Sequence, residues 1–523
     1  MTLVETSEIG LLVDFDDFRN RILPAYAAGR AAQELIAGDD LGRSLVPPGT
    51  GAFRDFSHLA PEIPLFDAAK CVGCMDCVNA CPDTAILGKA LPEAVLNERF
   101  AALRDSGAIA EQRSNWAKTR KYFDVPAARG QDGAFFGIFV DPTKCKGCGE
   151  CVDVCGAHDA LRMVQKDETL LDQARRSFAF YNSTPETPAE YINEKSLGDF
   201  MLAERSLLYT GGAGSCMGCG EATALRMMLA ATGFAYGSEN IGIVNATGCS
   251  SVYASTYPYN PYKVTWTNSL FENAPADAMG VRVRWNQQGW QGKRLWVVGG
   301  DGAMLDIGFG SLSRMLMSGL DIKVLVLDTQ VYSNTGGQAS TSSFGGQDSK
   351  MASFGRAQSG KSERRKDLGA IALMHPGVFV AQTVTSDPGH FYRAIMAANE
   401  FPGPAVVSVY TTCQPEHGVG DNMAAHQAKL ARDSRAFPVF VYDPRQGERM
   451  RDRLSLRGNP SMRDDWAVDP VTGKPVDFVE FARTEGRFAR QFDADGNPSQ
   501  SLLRAREDRL AHWRMLQELA GLR

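Results

Sequence analysis

Leu295-Trp296-Val297-Val298-Gly299-Gly300-Asp301-Gly302, answered further on by Asp328-Thr329-Gln330-Val331-Tyr332-Ser333-Asn334-Thr335-Gly336-Gly337, decides the fold. Leu295 to Val298 is a strand-like apolar run, and Leu305 to about Ser318 carries an amphipathic helical pattern. Ile322 to Leu327 is a second apolar strand that ends in the polar loop. Strand, glycine turn, helix, strand and polar glycine loop make a βαβ unit, whose ligands bind at the carboxyl ends of the strands. Gly300 and Gly302 let the backbone approach a phosphate, and the following helix offers its positive N-terminus. Asp301, the Thr329 hydroxyl and a backbone carbonyl near Val331 supply hard oxygen ligands for Mg2+. The physical reading is a diphosphate held through a metal; the plainer alternative is an ordinary α/β loop.

Working outward, the 523 residues suffice for two or three domains. Hydrophobic content of 44% and a net charge of −6 describe a globular chain and give a nucleic-acid role no support. Glu5, Glu8, Asp14, Asp16 and Asp17 make the start acidic, unlike a signal peptide, and no apolar run reaches the length of a membrane span. The cytoplasm is the expected compartment, where disulfides are disfavoured. The twelve cysteines therefore point to metal chemistry, and their spacing divides them into three sets of four.

Residues 1–65 read as an N-terminal extension or linker: Phe18 to Leu35 is helix-like, and Pro47-Pro48-Gly49 suggests a wrapping segment packed on a neighbouring subunit. Residues 66–165 carry Cys71-x2-Cys74-x2-Cys77-x3-Cys81-Pro82 and Cys145-x2-Cys148-x2-Cys151-x3-Cys155. In the two-cluster ferredoxin pattern the fourth cysteine of each run ligates the other cluster. That expects Cys71, Cys74, Cys77 and Cys155 around one [4Fe–4S] cluster and Cys81, Cys145, Cys148 and Cys151 around the second. Zinc, which also takes four thiolates, is the competing reading. The basic stretch Arg113 to Lys121 reads as a solvated or interface surface, and residues 166–205 as a connector.

Residues 206–440 hold Cys216-Met-Gly-Cys219-Gly-Glu221, Cys249 in Ala-Thr-Gly-Cys-Ser-Ser, and Cys413. Cys249 and Cys413 both follow strand-like runs, so they fall at the same sheet edge as the diphosphate loops, which expects a third cluster there. Residues 441–523 read as a charged C-terminal extension, with a helix over 501–522 presenting Leu503, Leu510, Trp513, Leu516 and Ala520. His417 reads as a structural histidine.

The Gly-Asp-Gly and Asn-closed loops resemble the signature of thiamin diphosphate enzymes. With Cys-Met-Gly-Cys-Gly-Glu, Ala-Thr-Gly-Cys-Ser-Ser and Asp-Thr-Gln-Val-Tyr-Ser-Asn-Thr-Gly-Gly-Gln, the chain resembles the pyruvate:ferredoxin (flavodoxin) oxidoreductase family from about Phe66 to Pro444. The fold implied is α/β: a parallel-sheet thiamin diphosphate-binding domain preceded by a small α+β dicluster ferredoxin domain. The resemblance implies Mg2+ on Asp301, Thr329 and the Val331 carbonyl. It implies thiamin diphosphate lined by Gly300, Gly302, Ala303, Gln330, Tyr332, Ser333 and Asn334, approached by Glu221 and Cys249, with Asn334, Glu221 and Cys249 next to the chemistry. Cys216, Cys219, Cys249 and Cys413 would hold a proximal [4Fe–4S] cluster.

The implied reaction is oxidative decarboxylation of pyruvate to acetyl-CoA and CO2, reversible in principle. Coenzyme A is co-substrate, and three [4Fe–4S] clusters pass electrons to ferredoxin or flavodoxin. The residues that activate the aminopyrimidine, bind the substrate carboxylate and hold most of coenzyme A precede the ferredoxin module in this family. An α-type partner subunit is therefore expected to supply them in a higher αβ oligomer. After Gln338 the chain reads Ala-Ser-Thr-Ser-Ser-Phe, a departure from the family in a loop expected to touch substrate. The competing readings are another 2-oxoacid, such as 2-oxoglutarate, and an electron-transfer subunit whose thiamin-type domain is a scaffold.

Overall fold

The computed structural model of the protein describes residues 14–35, 46–352 and 360–523. Residues 1–13, part of the expected N-terminal extension, lie outside them. The ferredoxin module pairs β1 (Glu62–Phe66) antiparallel with β5 (Leu161–Gln165). Helices α1 (Asp76–Ala80) and α2 (Glu150–Cys155) pack on each other, and α2 packs against β5. The insertion between the cysteine runs builds its own sheet, β2 (Ile86–Pro92), β4 (Ala134–Val140) and β3 (Ala117–Lys118), in the order β2-β4-β3. The basic stretch Arg113 to Lys121, expected at a solvated or interface surface, is partly core: Trp116 and Thr119 are buried, and Lys121 pairs with the buried Asp199. The expected connector opens with a sixteen-residue helix, α3 (Glu168–Ser183), whose first turn is capped by Asp167 accepting from the Leu170 N–H at 2.8 Å.

The second domain is built on an eight-stranded sheet. Its strands are β6 (Ile241–Ala246), β7 (Thr265–Ser269), β8 (Arg294–Gly300), β9 (Lys323–Asp328), β10 (Phe379–Val384), β11 (Ala405–Tyr410), β12 (Phe440–Tyr442) and β13 (Leu454–Ser455). They run in the order β13-β12-β10-β11-β9-β8-β6-β7. All neighbours from β10 to β7 are parallel; β12 and β13 add antiparallel at one edge. The central strands are apolar on both faces because both faces are covered. Trp296, Val298, Leu325 and Leu327 pack beneath α4 (Gly220–Tyr236). Leu295, Val297, Val324 and Val326 pack on the other face with Leu312 and Met315 of α7 (Phe309–Leu316). The expected helix after Gly302 begins as a wide π-helical segment, Gly302–Ile307, and restarts beyond Gly308.

Two terminal expectations differ from the fold. The helix expected from Phe18 to Leu35 is broken at Ala28–Arg30, around Gly29 with φ +67°. The wrapping segment that follows binds its own chain: Thr50 donates to the Pro258 carbonyl at 2.9 Å, and Gly49 N–H to the Tyr262 carbonyl at 2.8 Å. At the other end, the sheet does not stop at residue 440. β12 and β13 extend it, and Trp513 and Leu516 of the C-terminal helix α10 (Gln500–Leu519) belong to the core under β8 and β9. Leu503, expected on the buried face, is only partly covered, whereas Leu502 and Ala505 are buried.

Candidate active site

The parallel order β11-β9-β8-β6 brings four strand ends to one edge, with Tyr410 opposite Asp328 and Leu327 opposite Gly300. The loops leaving them carry Cys413, Thr329, Asp301 and Cys249 in that order. A cleft enclosing about 430 Å3 opens there, lined by Glu221, Cys249, Gly300, Asp301, Gly302, Ala303, Thr329, Val331, Tyr332, Ser333 and Asn334. Every cofactor-contact residue expected from the sequence is in this wall except Gln330. Its amide is turned away, donating to the Asp328 carbonyl and side chain and accepting from Arg487 at 3.0 Å. Its backbone, at φ +57°, makes the turn, and the side chain anchors that turn from behind. The sequence reading missed Thr247, Gly248, Ser250, Phe271 and Thr335 of the wall. Thr247, Gly248 and Ser250 flank Cys249 in the Ala-Thr-Gly-Cys-Ser-Ser motif and could have been read there.

Three oxygens face one another in the cleft. The Thr329 hydroxyl lies 3.2 Å from Asp301 Oδ1 and 3.1 Å from the Val331 carbonyl oxygen. Asp301 is fixed from the far side: Ser340 and Ser342 donate to its Oδ2 at 2.5 and 2.6 Å. Burial, then the neighbouring Asp328 carboxylate, push the Asp301 acid up to about 7, against these serine hydrogen bonds. The Ser340–Ser342 loop, expected to meet substrate, does not line the cleft; it orients the carboxylate.

The Thr329–Val331 turn is tied back in the same way. The Thr329 carbonyl accepts from His417 Nε2 at 2.8 Å and Arg487 Nη1 at 3.3 Å. The Gln330 carbonyl accepts from Ser343 at 2.5 Å and Gln347 at 3.0 Å. Of three successive carbonyls, two are held from behind and the third, on Val331, faces the cleft. Arg487 is itself held by Glu485 at 2.6 Å, and all of these side chains are buried. Gly302 has a steric requirement of its own: a Cβ there would stand 2.3 Å from the Tyr332 ring.

Cys216, Cys219, Cys249 and Cys413 line an adjoining cavity of about 620 Å3. Glu221, Cys249, Ser333 and Asn334 belong to both walls, so they form the partition between the spaces. Burial, followed by the Asp301 charge, pushes the Glu221 carboxyl up to about 8. Burial likewise raises the Cys413 thiol to about 12.

In the ferredoxin module Cys81, Cys145, Cys148 and Cys151 line a third space of about 370 Å3. Cys71, Cys74, Cys77 and Cys155 form the other neighbourhood, each of the first three thiols feeling Cys155. The fourth cysteine of each run thus crosses to the other set. α4 starts at the partition and joins the two domains: Thr223 lies 3.4 Å from the Ala80 carbonyl, and Arg226 donates to the Val78 and Asn79 carbonyls. The buried Lys146, next to Cys145, reaches Asp83 at 2.7 Å and the Ser215 carbonyl at 2.7 Å.

Residues 70–161 match the 4Fe-4S dicluster domain family, and residues 246–409 match the family of the thiamine pyrophosphate enzyme C-terminal TPP binding domain. Over 85% of its length the chain is 28% identical to a probable pyruvate-flavodoxin oxidoreductase of Escherichia coli (strain K12), covering 41% of that protein. Over 97% of its length it is 27% identical to the pyruvate-flavodoxin oxidoreductase of Rhodospirillum rubrum, covering 45% of it. It is 28% identical, over 80% of its length, to the pyruvate:ferredoxin oxidoreductase of Moorella thermoacetica, covering 40% of it. The chain spans less than half the length of these relatives. It carries a 4Fe-4S dicluster domain followed by a thiamine pyrophosphate-binding domain, and over most of its length it is a homologue of the pyruvate-flavodoxin oxidoreductases.

Proposed function

We propose that this chain is the thiamin diphosphate- and cluster-bearing part of a cytoplasmic, coenzyme A-acylating 2-oxoacid oxidoreductase, acting on pyruvate and delivering electrons to ferredoxin or flavodoxin. The observation that carries the reading is the shared partition: Glu221, Cys249, Ser333 and Asn334 separate a diphosphate-type cleft from a four-cysteine cavity.

The residues fit the groups they would hold. Adjacent ligands of an octahedral Mg2+ at about 2.0–2.1 Å stand about 3 Å apart, close to the 3.1 and 3.2 Å between the Thr329 hydroxyl and its two neighbours. Asp301, Thr329 and Val331 would hold the cation, and the strand-end glycines leave room for phosphate oxygens. In the ferredoxin module, four thiols line about 370 Å3, while among the described residues no three His, Cys, Asp or Glu side chains come close enough to hold a single metal ion. That spacing favours [4Fe–4S] groups over mononuclear zinc. The set Cys216, Cys219, Cys249 and Cys413 would hold a third.

Thiamin diphosphate, when bound, supplies the carbon nucleophile and electron sink for decarboxylation. The chain's own residues fix where that happens. Glu221, kept protonated at neutral pH by burial, offers a proton or hydrogen bond at the partition; a cation on Asp301 would remove the second cause of its shift and leave the first. Asn334, on the partition, would meet the reacting atoms on the side of the cysteine cavity, and Cys249 lines both spaces. Electrons leaving that cavity would follow α4 toward the Cys81 set, which Thr223, Lys146 and Arg226 pack against.

The site has one open side. β7 is an edge strand whose residues are half-buried or exposed, and beside the cleft residue Phe271, Leu270 is 56% exposed and Ile307 55%. A partner module covering that edge would supply the substrate, aminopyrimidine and coenzyme A contacts in an αβ assembly.

The test is anaerobic purification of the chain with its partner, then viologen reduction with pyruvate, 2-oxoglutarate and other 2-oxoacids, with and without coenzyme A. Coenzyme A-dependent reduction with pyruvate is expected. Reduction with another acid instead would reassign the substrate. No reduction in a preparation full of iron and thiamin diphosphate would overturn the oxidoreductase reading.

A further inference from the structure

A separate cavity, open to solvent at its rim, lies where β2, α3, the Thr210–Gly211 loop and Lys263 meet. It shares no wall residue with the cofactor cleft or the cysteine cavities, and the chemistry proposed above makes no use of it.

Three lysines line it. Lys89 and Lys144 are 3% and 6% exposed, and Lys263 is half-buried. Burial is the first cause lowering all three ammonium groups. Among the described residues, no carboxylate oxygen lies within 4.0 Å of any of them. Lys89 donates to the Pro185 carbonyl and lies 4.3 Å from the Tyr181 ring centroid. Lys144 donates to the Arg54 carbonyl and the Thr143 hydroxyl, and the Lys263 side chain has no hydrogen-bond partner among the described residues. Two acids also line the space. Asp141 is taken by Thr143, whose N–H and hydroxyl donate to it at 2.9 and 2.6 Å; Glu204 stands at the exposed rim.

Buried charges are ordinarily paired, because an unpaired one loses hydration without compensation. Carbonyl and hydroxyl oxygens satisfy Lys89 and Lys144 in part, and Glu204, Glu186, Asp141 and Asp55 act on the three lysines from beyond contact distance. Among the described residues none has a carboxylate in ion-pair contact, so an anion in the cavity would meet positive charge that the protein leaves largely uncompensated. The wall is also built tightly around one of them: a Cβ at Gly211 would stand 2.5 Å from the Lys144 stem. Lysine rather than arginine lines the space, which suits a phosphate met by point charges more than a carboxylate met by a planar fork. The stacked rings of Phe178 and Tyr181, 5.4 Å apart, give the body of a ligand an aromatic wall.

We propose that Lys89, Lys144 and Lys263 form a binding site for a phosphorylated small molecule of nucleotide size, at the junction of the ferredoxin insertion and the second domain. This does not rest on the oxidoreductase reading.

The test is isothermal titration of the protein, in the assembly in which it purifies, with inorganic pyrophosphate and with ADP. EDTA is present, so that the metal-dependent cleft does not compete. Saturable binding is expected. At least tenfold weakening is expected in Lys263→Met and in Lys89→Met, since a hydrogen bond to a charged group is worth about 1.5–3 kcal/mol. ADP binding tenfold tighter than pyrophosphate would identify a nucleotide; equal binding would identify the phosphate alone. Lys263→Met removes no hydrogen bond of the described residues, so its melting temperature without ligand should be unchanged or higher, which separates lost binding from lost folding. Lys89→Met also loses the bond to the Pro185 carbonyl, and its binding is read at a temperature where the variant is folded. Absence of binding by either probe up to about 1 mM, or unchanged affinity in both variants, would overturn the site.

Discussion

Ser340 and Ser342 show how a residue outside the cleft can govern it. Their hydroxyls hold one oxygen of Asp301 so that the other faces Thr329. Replacing both, as Ser340→Ala with Ser342→Ala, leaves the carboxylate buried but free to turn. The Mg2+ concentration that half-saturates thiamin diphosphate binding should rise about tenfold, with cluster iron content unchanged; an unchanged Mg2+ requirement would refute the role. His390 is a second case. It packs between β10 and α8 (Pro388–Glu400), bonded to Thr383 at 2.8 Å, and burial lowers its imidazolium to about 4. Asp387 opposes that shift, while Arg393 and Arg432 add to it. The unfolded chain therefore binds the proton first, near pH 6.5, so the folded state loses stability as pH falls from 6.5 toward 4. The loss reaches roughly 3 kcal/mol at the lower limit. The buried His512 shares that window, so His390→Gln should make the melting-temperature profile less steep there without abolishing it, and a profile identical to that of the parent protein would count against His390.

At the scale of elements, the segment after Pro444 acts on the Thr329–Val331 turn from behind. Arg487 and Glu485 lie in and beside a short 3-10 helix, Gly486–Gln491, and Arg487 reaches Thr329 and Gln330. Arg487→Met should loosen the Gln330 turn, raising the half-saturating Mg2+ at least tenfold, while Arg487→Lys restores part of it. Equal Mg2+ dependence in all three proteins would dismiss the clamp. α10 plays a different part. Trp513 is fully buried, donates to the Asp464 carbonyl at 2.8 Å and lies beneath the Arg435 guanidinium. Trp513→Ala should cost roughly 3–5 kcal/mol of stability, read as a lower denaturant midpoint; a shift under about 1 kcal/mol would mean the helix is merely appended.

For the whole molecule, the arrangement of the two domains follows from α4, which runs from the partition to the ferredoxin module. Arg226, buried in that contact, gives its guanidinium to two backbone carbonyls of α1 and its end. Arg226→Met would strand those carbonyls without donors, so both domains should lose thermal stability together. Independent melting of the iron-bearing and thiamin-type domains, followed by visible absorbance and far-ultraviolet dichroism, would contradict that coupling. Among the described residues no helix is long and apolar enough to cross a membrane.

Sequence by itself determined the parts whose chemistry is local. Cysteine spacing dictated the crossed ferredoxin sets, because x2 gaps keep three thiols on one short loop and helix. The Gly-Asp-Gly and Thr-Gln-Val turns announced the cleft, because strand ends and glycines are written in contiguous residues. Their parallel order also foretold that Cys249 and Cys413 would meet Cys216 and Cys219. Tertiary structure alone decided the supports. Nothing near Thr329 in the chain signals that His417 and Arg487 hold its carbonyl, and nothing near Asp301 signals Ser340 and Ser342. The Gln330 side chain leaves the cleft for the same reason: a side chain in a binding motif points toward its buried hydrogen-bond partners, and here one of them, Arg487, comes from distant chain. The lysine cavity was illegible too, since Lys89, Lys144 and Lys263 share no period or motif and meet only because β2, the second cysteine loop and the approach to β7 fold onto one another.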